Sequence, residues 1–217
     1  MNIRHHLTDD LLLAYAAGTL EESWSLAVAT HLSLCPICRG RETQLAAVGA
    51  AGLADFADTA LGHSALTDCL ARLDDEPAEP LHAARDPATP AILPSPLRDY
   101  VGGDVDAVRW SMVGGGVHQH LLPVAGKPGQ ARLLKIKAGE TVPEHSHRGL
   151  ELTLVLAGSF ADGEHEFRRG DIEIADEDVK HTPIAGYGEP CICLAVTDAP
   201  LVFSGWLPRI AQRFARI

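Results

Sequence analysis

The sequence has no uninterrupted apolar run of the roughly 18 to 20 residues that a membrane-spanning helix needs. Its first residues, MNIRHHLTDD, lack the apolar core of a secretory signal. Positive charge is also scarce, since 18 Lys and Arg residues stand against 29 Asp and Glu and give a net charge of -11. Because contacts to phosphate groups need a basic face, nucleic-acid binding is disfavoured. These absences predict a cytoplasmic protein that binds neither membrane nor nucleic acid, and a basic protein partner would suit it better.

Cysteines are few, and their number is odd. The chain has five, and Cys35 and Cys38 lie three positions apart close to a histidine. A disulfide framework needs paired cysteines in an oxidising compartment. The pattern therefore favours metal binding in a reducing compartment.

Helical periodicity extends to about residue 76. Thr8 is a good N-cap for a first helix, and apolar residues recur at helical spacing through a second segment. Another helix is predicted from Ala65 to Asp75, with an apolar stripe that needs a covering surface and is a candidate partner-binding site. The stripe consists of Leu66, Leu70 and Leu73.

Composition and periodicity change after residue 76. Residues 77–96 contain six prolines, which no helix interior or central strand tolerates. From residue 97 onward, short segments with period two alternate with Gly, Pro and Asp turns, which predicts a β-sandwich or barrel. The predicted fold class is α+β with two domains: a small all-α helical bundle (1–76), a Pro/Ala-rich linker (77–96) and an all-β domain (97–217).

A first metal site is predicted at the end of the second helical segment. The spacings of His31, Cys35 and Cys38 place their side chains on one face around a helix end. Two thiolates and one imidazole match the tetrahedral preference of Zn²⁺, which lacks only a fourth ligand. The adjacent His5 and His6 can supply it, so a structural zinc site is predicted in which every ligand comes from the protein.

A second metal site is predicted in the β domain. His145 and His147 lie on one face of a strand, with the carboxylate of Glu151 four positions later. In a barrel such residues converge on the lumen, where His181 could add a third imidazole. This donor set suits divalent Zn, Mn, Fe or Ni, and zinc is preferred here.

The cysteines and histidines also allow other interpretations. Cys35 and Cys38 could be small buried side chains, and a thioredoxin-like redox role conflicts with the absence of a preceding strand. The two histidines of the second site could be a solvent-facing strand pattern. Cys191 and Cys193 alternate on one strand and are predicted to be buried small side chains rather than a redox pair.

The N-terminal motifs HHL and HLSLCPIC resemble those of the zinc-binding anti-sigma factors, over residues 1–76. In that family a histidine precedes an Hx3Cx2C motif, and by this pattern His6 is preferred over His5 as the fourth ligand. The resemblance implies a helical domain that blocks the docking of an extracytoplasmic-function sigma factor on RNA polymerase.

The later motif Gx5HxHx3Ex6G, from Gly139 to Gly158, resembles the first motif of the cupin superfamily. The second cupin motif is met in spacing at Gly170 and His181, although Asp176 and Asp178 replace its Pro and Gly, and Ala185 replaces its Asn. The resemblance implies a cupin barrel, a double-stranded β-helix or jelly roll, with His181 as a ligand.

Taken together, the motifs IRHHL, ATHLSLC, HRGLELTLVL and GDIEIAD resemble the ChrR-type anti-sigma factors over nearly the whole chain. The resemblance implies a regulator, not an enzyme, that binds its sigma factor 1:1. It also implies release in response to singlet oxygen or organic hydroperoxides, with the cupin domain required for that response. The alternative is a cupin enzyme, such as a dioxygenase or isomerase, with an accessory zinc domain.

Overall fold

The computed structural model describes residues 2–53, 56, 59–75, 91–125, 129–146, 149–198 and 202–203. The helices found there are α1 (Asp9–Ala16), α2 (Glu22–Leu34), α3 (Pro36–Leu53), α4 (Ala65–Asp75) and α5 (Ser95–Val101). The strands are β1 (Ser111–Gly114), β2 (Val117–Leu121), β3 (Gln130–Ile136), β4 (His145–Ser146), β5 (Glu151–Ala157), β6 (Ser159–Asp162), β7 (His165–Arg168), β8 (Ile172–Ala175), β9 (Lys180–His181), β10 (Ile184–Ala185), β11 (Cys191–Thr197) and β12 (Val202–Phe203). The predicted α+β class, with helices first and strands later, is confirmed.

Antiparallel pairing arranges the strands of the described residues in three sheets. The largest has the order β1-β2-β3-β11-β5-β8, and two smaller sheets have the orders β10-β6-β7 and β12-β4-β9. Strand β11 lies between β3 and β5 and pairs with both over most of its length. Gly158 ends β5 with a φ of 66°, and a Cβ at this position would lie 2.6 Å from the carbonyl oxygen of Pro190. The turn after β5 therefore requires glycine.

The central strands β5 and β11 are buried on both faces. One face, which includes Val155 and Cys193, packs inside the barrel. The opposite face, which includes Leu154 and Leu194, belongs to a hydrophobic cluster that also contains Trp24 of α2. Two-sided burial explains why these strands are almost continuously apolar in sequence. The N-terminal helices and the barrel therefore share one hydrophobic core.

Polar contacts at the start of α2 reinforce this packing. The Glu22 carboxylate accepts hydrogen bonds from the Tyr100 hydroxyl and from the backbone N–H of Ala125, each at 2.6 Å. The neighbouring carboxylate of Glu21 accepts one from the backbone N–H of Gly129 at 3.4 Å. Residues from α5 and from the loop after β2 therefore fix the N-terminus of α2.

The helix limits test several predictions. Thr8 caps α1, because its hydroxyl accepts a hydrogen bond from the Leu11 N–H, as predicted. Helix α4 has the predicted limits. Helix α5 was not predicted, because prolines up to residue 96 were read as excluding a helix. Pro96 lies in the first turn of α5, where a backbone N–H has no carbonyl partner within the helix. The lack of an N–H in proline therefore costs this helix no hydrogen bond.

Two compact units are distinguished in the chain. The first comprises residues 1–46 with 91–217, and the second comprises residues 47–90. The boundaries predicted from composition, 1–76, 77–96 and 97–217, stay predictions. None of the helices in the described parts of the chain is both long and apolar enough to cross a membrane.

The shared core predicts that the helices and the barrel of the first unit unfold together. Leu154→Ala removes a fully buried side chain from the shared cluster and should lower the free energy of unfolding by about 2–5 kcal/mol. Urea unfolding followed by tryptophan fluorescence and by far-ultraviolet circular dichroism should give coincident transitions that shift together. Met112→Ala, at a side chain that is 75% exposed, is the control and should change stability by less than about 0.5 kcal/mol. Two separate transitions would contradict the shared core.

Candidate functional site

Four side chains from separate parts of the N-terminal region converge on one point. They are His6, His31, Cys35 and Cys38, and one potential ligand atom from each lies within 4.8 Å of all the others. The Nδ1 atom of His6 lies 3.3 Å from the Cys35 sulfur and 3.5 Å from the Cys38 sulfur. Ligands of a tetrahedral zinc ion lie roughly 3.3–3.8 Å apart, given zinc–ligand distances of about 2.0–2.3 Å. This group could therefore bind a metal ion.

The junction of α2 and α3 sets the positions of three of these side chains. His31 lies in the last turn of α2, Cys35 follows the helix end, and Cys38 lies in the first turn of α3. The backbone N–H of Cys35 donates to the His31 carbonyl at 2.8 Å, which closes α2. The backbone N–H of Cys38 donates to the Cys35 sulfur at an N–S distance of 3.4 Å. His6 reaches the group from the segment before α1.

Burial prepares this group for a cation. Burial lowers the pKa of His31 to about 4, with His6 acting in the same direction and the Gly170 backbone and Asp171 opposing it. Among the described residues, neither ring nitrogen of His31 has a partner in hydrogen-bond geometry. Burial also raises the pKa of the Cys38 thiol to about 11. A neutral imidazole with an unused lone pair and a thiol that needs a counter-cation to ionise both fit a bound metal ion.

The structure places the two N-terminal histidines on different sides. His6 belongs to the metal group, whereas the His5 ring lies against Phe167 of β7 with ring centroids 4.3 Å apart. Of the two histidines considered from the sequence, His6 is thus the one brought to the cysteines.

A second group of polar side chains lies inside the barrel. His145 and His181 are directly paired across β4 and β9, and their Nε2 atoms are 3.0 Å apart. Each Nδ1 atom has an acceptor: the Pro143 carbonyl at 2.9 Å for His145 and the Asp162 carboxylate at 3.0 Å for His181. Protons on both Nδ1 atoms leave two Nε2 lone pairs facing each other, and a cation between them would remove their repulsion. Both rings are buried, which lowers the pKa of His145 to about 4.

Carboxylates surround these histidines. One potential ligand atom each of Asp162, Glu173 and His181 lies within 4.8 Å of the other two. Both carboxylates approach the Nδ1 atom of His181, at 3.0 and 3.9 Å, whereas its Nε2 atom faces His145. Burial, together with the nearby carboxylates of Asp162 and Glu151, raises the pKa of Glu173 to about 8. Glu151 is buried and accepts a hydrogen bond from the Thr153 hydroxyl at 2.8 Å. The barrel interior therefore has the nitrogen and oxygen donors that suit a divalent cation.

The structure describes three of the four predicted barrel ligands. His145, Glu151 and His181 are buried, whereas His147 lies outside the described residues. Asp162 and Glu173 were missed from the sequence. In the sequence, Glu173 is marked as a charged residue within the otherwise apolar segment IEIA. In the structure it pairs with Thr153 of β5. Nothing in the local pattern marks Asp162.

Cys191 and Cys193 are buried, as predicted, with their sulfur atoms 3.3 Å apart. Their mutual hydrogen bond and burial hold the pKa of the Cys193 thiol well above its ordinary value. The predicted stripe of α4 is exposed, at 71%, 53% and 71% for Leu66, Leu70 and Leu73.

Comparisons with known proteins cover both halves of the chain. A family model described as the ChrR cupin-like domain matches residues 99–200. The anti-sigma-E factor ChrR of Cereibacter sphaeroides is 53% identical over 218 residues, which span 100% of both chains. A crystal structure of Rhodobacter sphaeroides SigE in complex with the anti-sigma factor ChrR matches with a TM-score of 0.77 and 52% identity, over 91% of this chain and 100% of that one.

These findings test three predictions. The predicted cupin barrel behind an N-terminal helical region and the predicted resemblance are confirmed. ChrR is an anti-sigma factor, which is a regulator, and the prediction that the chain is not an enzyme is confirmed. At 53% identity over its full length, the chain belongs to the ChrR family of anti-sigma factors.

Proposed function

We propose that the chain is an anti-sigma factor that binds and inhibits a cognate extracytoplasmic-function sigma factor. The observation that carries this proposal is the similarity over 91% of the chain to a ChrR that was crystallised with SigE. The acidic net charge of -11 suits a basic protein partner. We expect a 1:1 complex in the cytoplasm.

A zinc ion held by His6, His31, Cys35 and Cys38 organises the sigma-binding helices in this proposal. The buried donors and the short distances between His6 and the two cysteines support it. With four protein ligands the ion has no open position, so its role is structural: it ties the N-terminus to the α2–α3 junction.

The exposed stripe of α4 forms part of the sigma-binding surface. Its three leucines lie on one face of a short helix and are largely exposed. Apolar faces of this kind typically bind a partner, and a sigma factor surface would cover this one.

The barrel acts as the sensor in this proposal. A divalent metal, preferably zinc, is held there by His145, His147, Glu151 and His181, with Mn, Fe and Ni as alternatives. The facing Nε2 atoms of His145 and His181 support a cation at this point. Singlet oxygen or organic hydroperoxides would act on the barrel and release the sigma factor.

Removing the thiolate ligands tests the zinc-dependent binding of the sigma factor. Cys35→Ala and Cys38→Ala should each lose about one zinc per chain and weaken sigma binding at least about tenfold, because a buried ligand set is left incomplete. Metal analysis and calorimetric titration with the cognate sigma factor measure both effects. Met112→Ala, at an exposed side chain of β1, is the control and should match wild type. Full binding by the zinc-free variants would refute the structural role, and no binding by the wild-type chain would refute the anti-sigma function.

Charged substitutions on α4 test the partner surface. Leu66→Asp and Leu70→Asp should each weaken sigma binding about tenfold or more, since a carboxylate would be buried in an apolar interface. Leu61→Asp replaces a leucine that is 83% exposed and precedes α4, and it should leave binding nearly unchanged. Equal effects of all three substitutions would argue against α4 as a contact surface.

Barrel substitutions separate sensing from binding. His145→Ala and Glu151→Ala should keep sigma inhibition but blunt its release, because they remove ligands in the barrel and leave the N-terminal ligands intact. In vitro transcription by the sigma factor, with and without an organic hydroperoxide, measures both properties. His118→Ala, outside the proposed ligand set, should behave as wild type. If the two barrel variants lost inhibition, the barrel would instead belong to the binding surface.

A further inference from the structure

The segment that delivers the metal ligand His6 is attached to the barrel as well as to the helices. His5 and His6 are adjacent but contact different partners: His6 faces the two cysteines, and the His5 ring lies against Phe167 of β7. The His5 carbonyl also accepts a hydrogen bond from the Ile172 N–H of β8 at 3.4 Å. The segment therefore lies between the metal group and the turn that joins β7 to β8.

A buried carboxylate in this turn makes the central contact. Asp171 is 1% exposed, and its Oδ1 atom accepts hydrogen bonds from the backbone N–H groups of Arg4 and His5, at 2.6 and 3.0 Å. Its Oδ2 atom accepts a third from the Arg168 N–H at 2.9 Å, which braces the turn itself. Hydrogen bonds to a charged acceptor in a buried environment are the stronger kind. One side chain thus fixes both the barrel turn and the backbone directly before His6.

The same turn lies close in sequence to β8, which contributes a carboxylate to the group of potential ligands inside the barrel. Asp171 directly precedes β8, and Glu173 of β8 converges with His181 inside the barrel. On the other side of the turn, Phe167 stacks on Phe160 in the barrel interior with ring centroids 4.8 Å apart. A displacement of β7 or β8 would therefore move the acceptor that holds the segment before His6.

We propose that Asp171 is a positioning residue for the ligand His6, and that through it the barrel controls how firmly the N-terminal metal ion is held. The inference rests on the proposed function only in requiring a metal ion at His6, His31, Cys35 and Cys38. His5 supports the same segment through its contact with Phe167. Groups that orient metal ligands typically change metal affinity by about 10- to 100-fold when they are removed.

Cobalt substitution of the full chain provides the test. Co²⁺ bound to thiolates has a charge-transfer band in the near ultraviolet, so this band reports the N-terminal site and not the nitrogen and oxygen donors proposed for the barrel. Its loss in excess EDTA gives the rate of metal release. Asp171→Ala should release cobalt about tenfold faster or more than wild type. Asp171→Asn, which keeps an acceptor for Arg4 and His5, should lie between the two.

Two controls separate positioning from a general loss of stability. Ile136→Ala weakens the barrel interior at β3, a strand that pairs with neither β7 nor β8, and its release rate should stay within about twofold of wild type at a temperature where all variants are folded. His5→Ala should accelerate release, whereas His63→Ala, at an exposed histidine, should not. Cys35→Ser combined with Cys38→Ser removes both thiolates, so it should abolish the band and confirm its origin.

The outcomes separate the inference from the proposed function. If Asp171→Ala released cobalt at the wild-type rate, or no faster than Ile136→Ala, the positioning role would be wrong while the anti-sigma proposal stood. A wild-type chain that contained no metal at the cysteines would be recognised before any variant was compared. That result would overturn the zinc site and the inference together.

Discussion

The contact between the outer face of the largest sheet and the N-terminal helices is the constraint on which the rest of the first unit depends. Leu154 and Leu194 on the central strands share a hydrophobic cluster with Trp24 of α2. Each side covers apolar surface that the other would expose to water, so neither is complete alone. The bonds from Tyr100 and Ala125 to Glu22 add directional contacts to this packing. The helices that contribute metal ligands are thus built onto the barrel.

This arrangement brings two groups of potential metal ligands, which differ in chemistry, into one compact unit. The N-terminal group has two thiols and two imidazoles, which suits a structural zinc ion with no open position. The barrel group has imidazoles and carboxylates, a donor set that can leave a position open for a reactant. The two donor sets therefore differ in kind: the first suits a structural ion, and the second suits an ion that exchanges or binds a reactant. The segment before His6, held by Asp171, contacts both parts.

Local patterns predicted much of this structure, and long-range pairing accounts for what they missed. The limits of α4 and the Thr8 cap follow from spacing and capping within a few residues, and so does the grouping of the ligands around the α2–α3 junction. Helix α5 was missed because a proline normally excludes a helix. Pro96 lies in the first turn of α5, where a proline removes no hydrogen bond. The positions of Glu173 and Asp171 depend on the register of β8 against β5 and on the return of the N-terminus to the barrel. No short window of sequence contains that information, although the run LTLVLA, which is apolar except for Thr153, indicates two-sided burial.

Native-state hydrogen exchange of the full chain tests the central claim most directly, namely that the helices before residue 46 and the barrel form one cooperative unit. The account predicts that the buried amides of α2 exchange with the same opening free energy as those of β5 and β11, and that this value equals the free energy of global unfolding. A markedly lower opening free energy for α2, with the barrel strands still protected, would contradict it. The helices would then be a separate module, and the barrel could not act on them through a shared core.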